Sequence, residues 1–145
     1  FGGGGGTNPY FEVLGSPGTH SNGLAPSIGF NGIPVLGTQI DITLDTSLPN
    51  ATHVLAVGWS NTFWGTTSLP WDLSGAGMPG NSLYVSLDYQ FQGNNLPSGQ
   101  ASWSFNTPNN PNLIGKDVYF QYYIVDQAVN ARGAVTSDYV HGLIG

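Results

Sequence analysis

KDVYFQYYIVDQAV, residues Lys116–Val129, is the stretch whose reading decides the fold. Val118, Phe120, Tyr122 and Ile124 fall on one side of an extended strand, and Asp117, Tyr119, Gln121 and Tyr123 fall on the other. That period of two belongs to a strand with two different faces. Its flanks are Pro108–Gly115 before it and Gly133–Tyr139 after it, and the other segments read as strands that pack around it.

Working outward, Ile40, Ile42 and Leu44 alternate with Gln39, Asp41, Thr43 and Asp45, the pattern of a strand with one core face and one wet face. His53–Trp59 (HVLAVGW) is a nearly continuous apolar run and suits a central strand covered on both sides. Ser60–Gly80 carries Phe63, Trp64 and Trp71 among prolines and glycines and is expected to be a long crossover loop with at most a short strand. Leu83, Val85, Leu87, Tyr89 and Phe91 alternate with polar residues and predict one long strand, followed by a turn and by Ala101–Phe105. With Tyr10–Leu14, Leu24–Phe30 and Ala134–Val140 the count is about eight strands, turn signals recur every 8–12 residues, and no segment has helical periodicity. The expected fold is all-β: a two-sheet antiparallel sandwich, Ig-like or jelly-roll.

A chain of 145 residues with 39% hydrophobic content supports one domain with a real core. Only 7% of the residues are charged, so Asn, Gln, Ser, Thr and Gly must make the polar surface, and such surfaces lie against one another without repulsion or desolvated charge. Two basic residues, Lys116 and Arg132, stand against eight acidic ones, for a net charge of −6. That balance argues against nucleic acid and against anionic membrane surfaces. No apolar run approaches the roughly 18 residues that read as a membrane-spanning helix. The absence of cysteine excludes thiol catalysis, disulfides and thiolate metal sites. The start at Phe1 fits removal of a signal peptide, although a tag boundary would look the same, and a secreted, extracellular or cell-surface location is the expectation.

The chain divides into residues 1–14, a glycine tail followed by a β-prone segment, a linker loop over 15–23 (GSPGTHSNG), and a body over 24–145. Five consecutive glycines, Gly2–Gly6, offer only backbone to grip. An exposed sheet edge is a template for pairing that proteins normally blunt with charge, and charge is scarce here. The N-terminal segment is therefore expected either to be an edge strand of its own sandwich or to add to a neighbour's sheet. In the second case Phe1, Tyr10, Phe11, Val13 and Leu14 are the self-association residues, and head-to-tail addition gives a filament.

Several segments together resemble a known family: Gly15-Ser-Pro-Gly18, Pro26, Gly32-Ile-Pro-Val-Leu-Gly37, Leu48-Pro-Asn-Ala51, Val57-Gly58, Leu69-Pro-Trp-Asp-Leu73, Met78-Pro-Gly80, Pro108-Asn109, Leu113-Ile-Gly115, Val118-Tyr-Phe-Gln121, Asp126 and Ser137-Asp138. In order and spacing they are similar to small secreted β-sandwich modules that recur, often near the C-terminus, in exported proteins of planctomycete-like bacteria. The resemblance spans about residue 13 to 145 and implies an extracellular or surface sandwich without catalytic residues. Where the family commonly has cysteine in a G-C-x-G and a P-G-C segment, this chain has Ser16 and Asn81. If those cysteines pair in relatives, a tie typically worth about 2–4 kcal/mol between the N-terminal strand and the body is missing here.

Trp59, Phe63, Trp64 and Trp71 are candidates for a sugar-stacking platform or for a subunit interface, with Asn61 and Thr62 as polar neighbours. Extracellular glycans are the partner this would imply, and a carbohydrate-binding or adhesion module is the alternative to a self-assembling one. An accessory domain of a larger exported protein is a third reading. Asn50-Ala51-Thr52 is a glycosylation sequon at a turn, with Asn50 as the acceptor. Asp45-Thr46-Ser47 shares two residues with the aspartic-protease signature but lacks its glycine and a second copy. His20, His53 and His141 have no metal-ligand spacing, and no G-x-S-x-G elbow is present. Asp41 with Asp45, or Asp126 with Asn130, are weak calcium candidates, since calcium wants six or more oxygens. No cofactor, no metal and no enzymatic activity are expected.

Overall fold

The structure, a computed structural model, describes residues 8–46 and 48–145, and it is a two-sheet antiparallel β-sandwich. The strands are β1 (Tyr10–Leu14), β2 (Ser27–Asn31), β3 (Gln39–Asp45), β4 (Thr52–Gly58), β5 (Phe63–Trp64), β6 (Thr67–Ser68), β7 (Trp71–Asp72), β8 (Ser82–Leu83), β9 (Tyr89–Asn94), β10 (Gln100–Asn106), β11 (Asp117–Val125) and β12 (Ala134–Leu143). One sheet has the order β1-β12-β11-β4-β9 and the other β10-β3-β2, while β5-β6 and β7-β8 form two small ribbons in the crossover. The only helical turns among the described residues are 3-10, at Leu73–Ala76 and Pro111–Leu113.

Alternation explains which faces meet. Ile28 of β2 and Ile40, Ile42 and Leu44 of β3 pack against Leu55 of β4, Val118, Phe120, Tyr122 and Ile124 of β11, and Val135 and Val140 of β12. Burying apolar surface at about 25 cal/mol per Å² is what holds two such faces together. The Tyr122 hydroxyl crosses the interior and donates to the Ile42 carbonyl at 2.6 Å, so the one polar tip in this layer is satisfied. His53 does similar work nearer the β9–β10 side: its Nδ1 lies 2.8 Å from Asn95 Oδ1, and its Nε2 accepts from Trp103 Nε1 at 2.9 Å. Because the indole can only donate, these partners fix a neutral imidazole protonated on Nδ1.

β11 is the centre of its sheet, as its sequence requires, but its second face is not wet: Tyr119 and Gln121 are buried as well. The crossover between β4 and β9 folds over that face. This is also why the expected long strand over 83–91 is interrupted. The Tyr84 amide donates to Gln121 Oε1 at 2.9 Å, and the Ser86 amide donates to the Ser60 carbonyl at 2.9 Å. Gly58, having no Cβ, lets the Ser86 backbone lie directly on β4. Strand pairing resumes only at Tyr89. The region 60–80 is more ordered than a crossover loop, since it holds β5, β6, β7 and the first 3-10 turn.

A bulge marks β12. Gln121 pairs with Tyr139 and Tyr123 with Thr136, so Ser137 and Asp138 together face Tyr122. Ser137 Oγ accepts from the Tyr122 amide at 3.0 Å, and Asp138 Oδ1 reaches the other sheet to accept from the Ile28 amide at 2.9 Å.

Candidate functional site

Three places hold the residues singled out in the sequence. The first is the edge formed by β1. It pairs with β12 of its own chain in antiparallel register, Tyr10 with Leu143 through Leu14 with Tyr139. Phe11 is its one deeply buried side chain, lying 5.2 Å from the Phe30 ring and 6.1 Å from Phe120 and resting on Gly142, where a Cβ would meet its ring at 2.6 Å. Leu14 is half-buried against the cluster of Ala56, Val85, Tyr119 and Tyr139, whereas Tyr10 and Val13 are exposed. Phe1 and the glycine tail lie outside the described residues.

On the outer face His141 of β12 bridges β1 and β11. Its Nδ1 lies 2.7 Å from Glu12 Oε2 of β1, and its Nε2 lies 2.8 Å from Asp117 Oδ1 of β11. Burial works against the charged form. Hydrogen bonds to Asp117 and Glu12, with their negative charges, outweigh it and hold the His141 pKa above its ordinary value.

The second place is a buried relay behind the loop at 15–23. Thr46 Oγ1 lies 2.6 Å from His20 Nε2, and His20 Nδ1 lies 3.1 Å from Asp126 Oδ2. Hydroxyl, imidazole and carboxylate stand in the order of an activated nucleophile, its base and the orienting acid. Thr46 is only 1% exposed and His20 only 3%, however, so no substrate reaches the hydroxyl. Burial lowers the His20 pKa despite the nearby carboxylate, so the ring is neutral at pH 7, donating to Asp126 and accepting from Thr46. Desolvation would raise the Asp126 pKa, but hydrogen bonds from the Ser21 amide and hydroxyl and from His20 hold it low. The relay is a fastening: with the Gly18 amide bonded to the Thr136 carbonyl, it pins residues 15–23 to the body rather than leaving a loose linker. Ser47, the third residue of the protease-like triplet, lies outside the described residues.

The third place is the set of aromatics in the crossover. Trp64 and Trp71 wall one cleft of about 480 Å³ on the outer face of the larger sheet, over Val54, Ala56 and Leu83. Trp59 is not with them: it lines a different cleft beside Tyr89, Phe91 and Phe105. Phe63 is 58% exposed and lines neither. Sequence reasoning missed Arg132, from the β11–β12 turn, and Gln90 of β9, which also line the Trp64–Trp71 cleft. The signal available for Arg132 was its rarity, as one of two basic residues in the chain.

The remaining candidates are separate. Asn50 is exposed in a turn between β3 and β4 with φ of 58°, a left-handed position that asparagine tolerates. Asp126 is committed to His20 and Ser21, Asn130 bonds Gly133 and Ala134, and Asp41 accepts from Ser104 Oγ at 2.6 Å. Among the described residues no group of three or more His, Cys, Asp or Glu side chains converges on a point that could hold a metal ion. Comparison with protein-family models, curated proteins and solved structures gave no match to this chain.

Proposed function

We propose that this protein is a secreted structural subunit that self-associates through its sheet edges into an extracellular filament or surface assembly. The observation that carries this reading is the chemistry of the edges. β1, β9, β10 and β2 are the four outer strands of the two sheets, and Glu12 is the one charged residue in all of them. None of the four contains proline. Lysine and proline are usual devices that stop edge-to-edge pairing, and these strands carry neither; Asp138 reaches β2 from outside it and takes up one amide there, that of Ile28.

Exchange of residues 1–14 between neighbours is the proposed joint. β1 has a single strand neighbour, β12, and a single deeply buried anchor, Phe11. A neighbour's β1 occupying the same place would make the same hydrogen bonds and fill the same pocket, so exchange costs little once concentration favours it. The loop at 15–23 is fastened at Gly18 and His20, so exchange would pivot at Gly15–Pro17 and would have to break or carry along the bond from the Ser16 amide to the Tyr84 hydroxyl at 3.0 Å.

A reversible lock tests the joint. Tyr10 and Leu143 face each other across β1 and β12, and opposed residues of an antiparallel pair are about 4.5–5.5 Å apart, within reach of a disulfide. The Tyr10→Cys/Leu143→Cys variant of this cysteine-free chain should stay monomeric when oxidised as a monomer and assemble on reduction. Equal assembly in both states would refute exchange.

The aromatic residues favour a glycan platform less. Trp59 is parted from Trp64 and Trp71, and the cleft between those two has an aliphatic floor.

A further inference from the structure

The Trp64–Trp71 cleft has a composition that self-association does not use. Its floor is aliphatic: Val54 and Ala56 from β4 and Leu73, Met78, Leu83 and Leu87 from the crossover. Its volume of about 480 Å³ falls in the range of small-molecule sites, roughly 300–1,000 Å³. Trp64 and Trp71 are 37% and 40% exposed, which leaves large aromatic faces open to a ligand.

The polar groups at this cleft are unevenly distributed. The Gln121 amide is fully engaged, accepting from the Tyr84 amide and donating to the Ser82 and Ser137 carbonyls. Thr136 Oγ1 donates to Asn81. Among the described residues, the groups left without a partner in the chain are the Arg132 guanidinium, the Tyr123 hydroxyl, the Gln90 amide and the indole N–H groups of Trp64 and Trp71. That set is rich in donors and poor in acceptors. Arg132 is placed by its own backbone, its amide donating to the Gly77 carbonyl at 3.1 Å, so the guanidinium is carried at the rim of the crossover. The carboxylates of the crossover are already bound: Asp72 by the Ser74 amide and hydroxyl, Asp88 by the Ser86 hydroxyl and the Trp59 amide. Neither lines the cleft.

We infer that this cleft binds an amphiphilic carboxylate, a medium-chain fatty acid or an arylalkanoate, with its apolar body on the aliphatic floor between the two indoles and its headgroup on Arg132. A planar carboxylate matches the fork of a guanidinium and presents acceptors only, which is what the unclaimed donors require. A neutral sugar would lay hydroxyls over the aliphatic side chains of the floor as well as beside these donors, and each buried hydroxyl left unpaired weakens binding.

The test is titration of the full chain with sodium octanoate, followed by tryptophan fluorescence and by calorimetry, beside 1-octanol and the neutral disaccharide cellobiose. Saturable octanoate binding is expected, weakened about tenfold or more in Arg132→Gln, while the weaker binding of octanol is unchanged by that substitution. Trp71→Ala should weaken both. Arg132 is exposed, so its variant should melt with the wild type, and Arg132→Lys should restore part of the octanoate affinity. No octanoate binding at millimolar concentration, octanoate binding indifferent to Arg132, or cellobiose binding that depends on Trp71 would each overturn the assignment.

Discussion

Raising the pH from about 5.5 to about 8.5 should loosen β1 by removing one proton from His141. The two ring nitrogens face two carboxylates, at 2.7 Å and 2.8 Å. A neutral imidazole has one N–H and satisfies only one of them, so both contacts require the imidazolium. The groups facing the ring are Glu12 and Tyr10 from β1 and Asp117 and Tyr119 from β11, with Tyr119 stacked at 5.0 Å and Tyr10 edge-on at 5.6 Å. A folded-state pKa raised above 6.5 means that the stabilisation is complete below pH 6.5 and is lost as pH climbs through the folded value. The Glu12 and Asp117 side chains are 42% and 49% exposed, so the two contacts belong with screened surface pairs and together contribute about 1 kcal/mol. That is about a fivefold change in an equilibrium constant. His20 and His53 act in the opposite sense: burial holds both pKa values low, so their contribution is present above pH 6.5 and declines as pH falls. The difference between wild type and His141→Gln removes that background. Urea unfolding should show the variant less stable by about 1 kcal/mol at the lower pH, with the gap closing at the higher one. A gap that is constant or that widens with pH would refute the imidazolium bridge.

Other substitutions probe the remaining links. Gly142→Ala places a Cβ 2.6 Å from the Phe11 ring and should cost about 1–3 kcal/mol, with the loss of amide protection concentrated in β1 in hydrogen-exchange measurements. Tyr122→Phe removes the donor to the Ile42 carbonyl and should lower stability by about 1–2 kcal/mol in urea, with no change in assembly if the sheet edges alone carry it. His20→Ala strips Thr46 and Asp126 of their shared partner and should make the 15–23 segment susceptible to limited proteolysis while the core strands stay protected.

What the sequence made legible was whatever period two encodes. Ile40, Ile42 and Leu44 announced β3, and Val118, Phe120, Tyr122 and Ile124 announced β11, because the face each buries is written every second residue. The 83–91 segment has the same alternation and still breaks. Its partners Gln121 and Ser60 are distant in the chain, and an amide captured by either is lost to a ladder. The Thr46–His20–Asp126 relay was invisible for the same reason, since 106 residues separate His20 from Asp126. At the aromatic cleft the tryptophans were found and the cation was not. Trp64 and Trp71 stand out by residue type, whereas Arg132 matters only because the β11–β12 turn carries it to them.

The reading of the protein as a self-assembling subunit is tested most directly by negative-stain electron microscopy, with sedimentation, of the purified full chain beside residues 15–145. The account predicts filaments or sheets from the full chain and a folded monomer from the truncated one. Monomers from the full chain at high concentration, or the same polymers from the truncated chain, would contradict it.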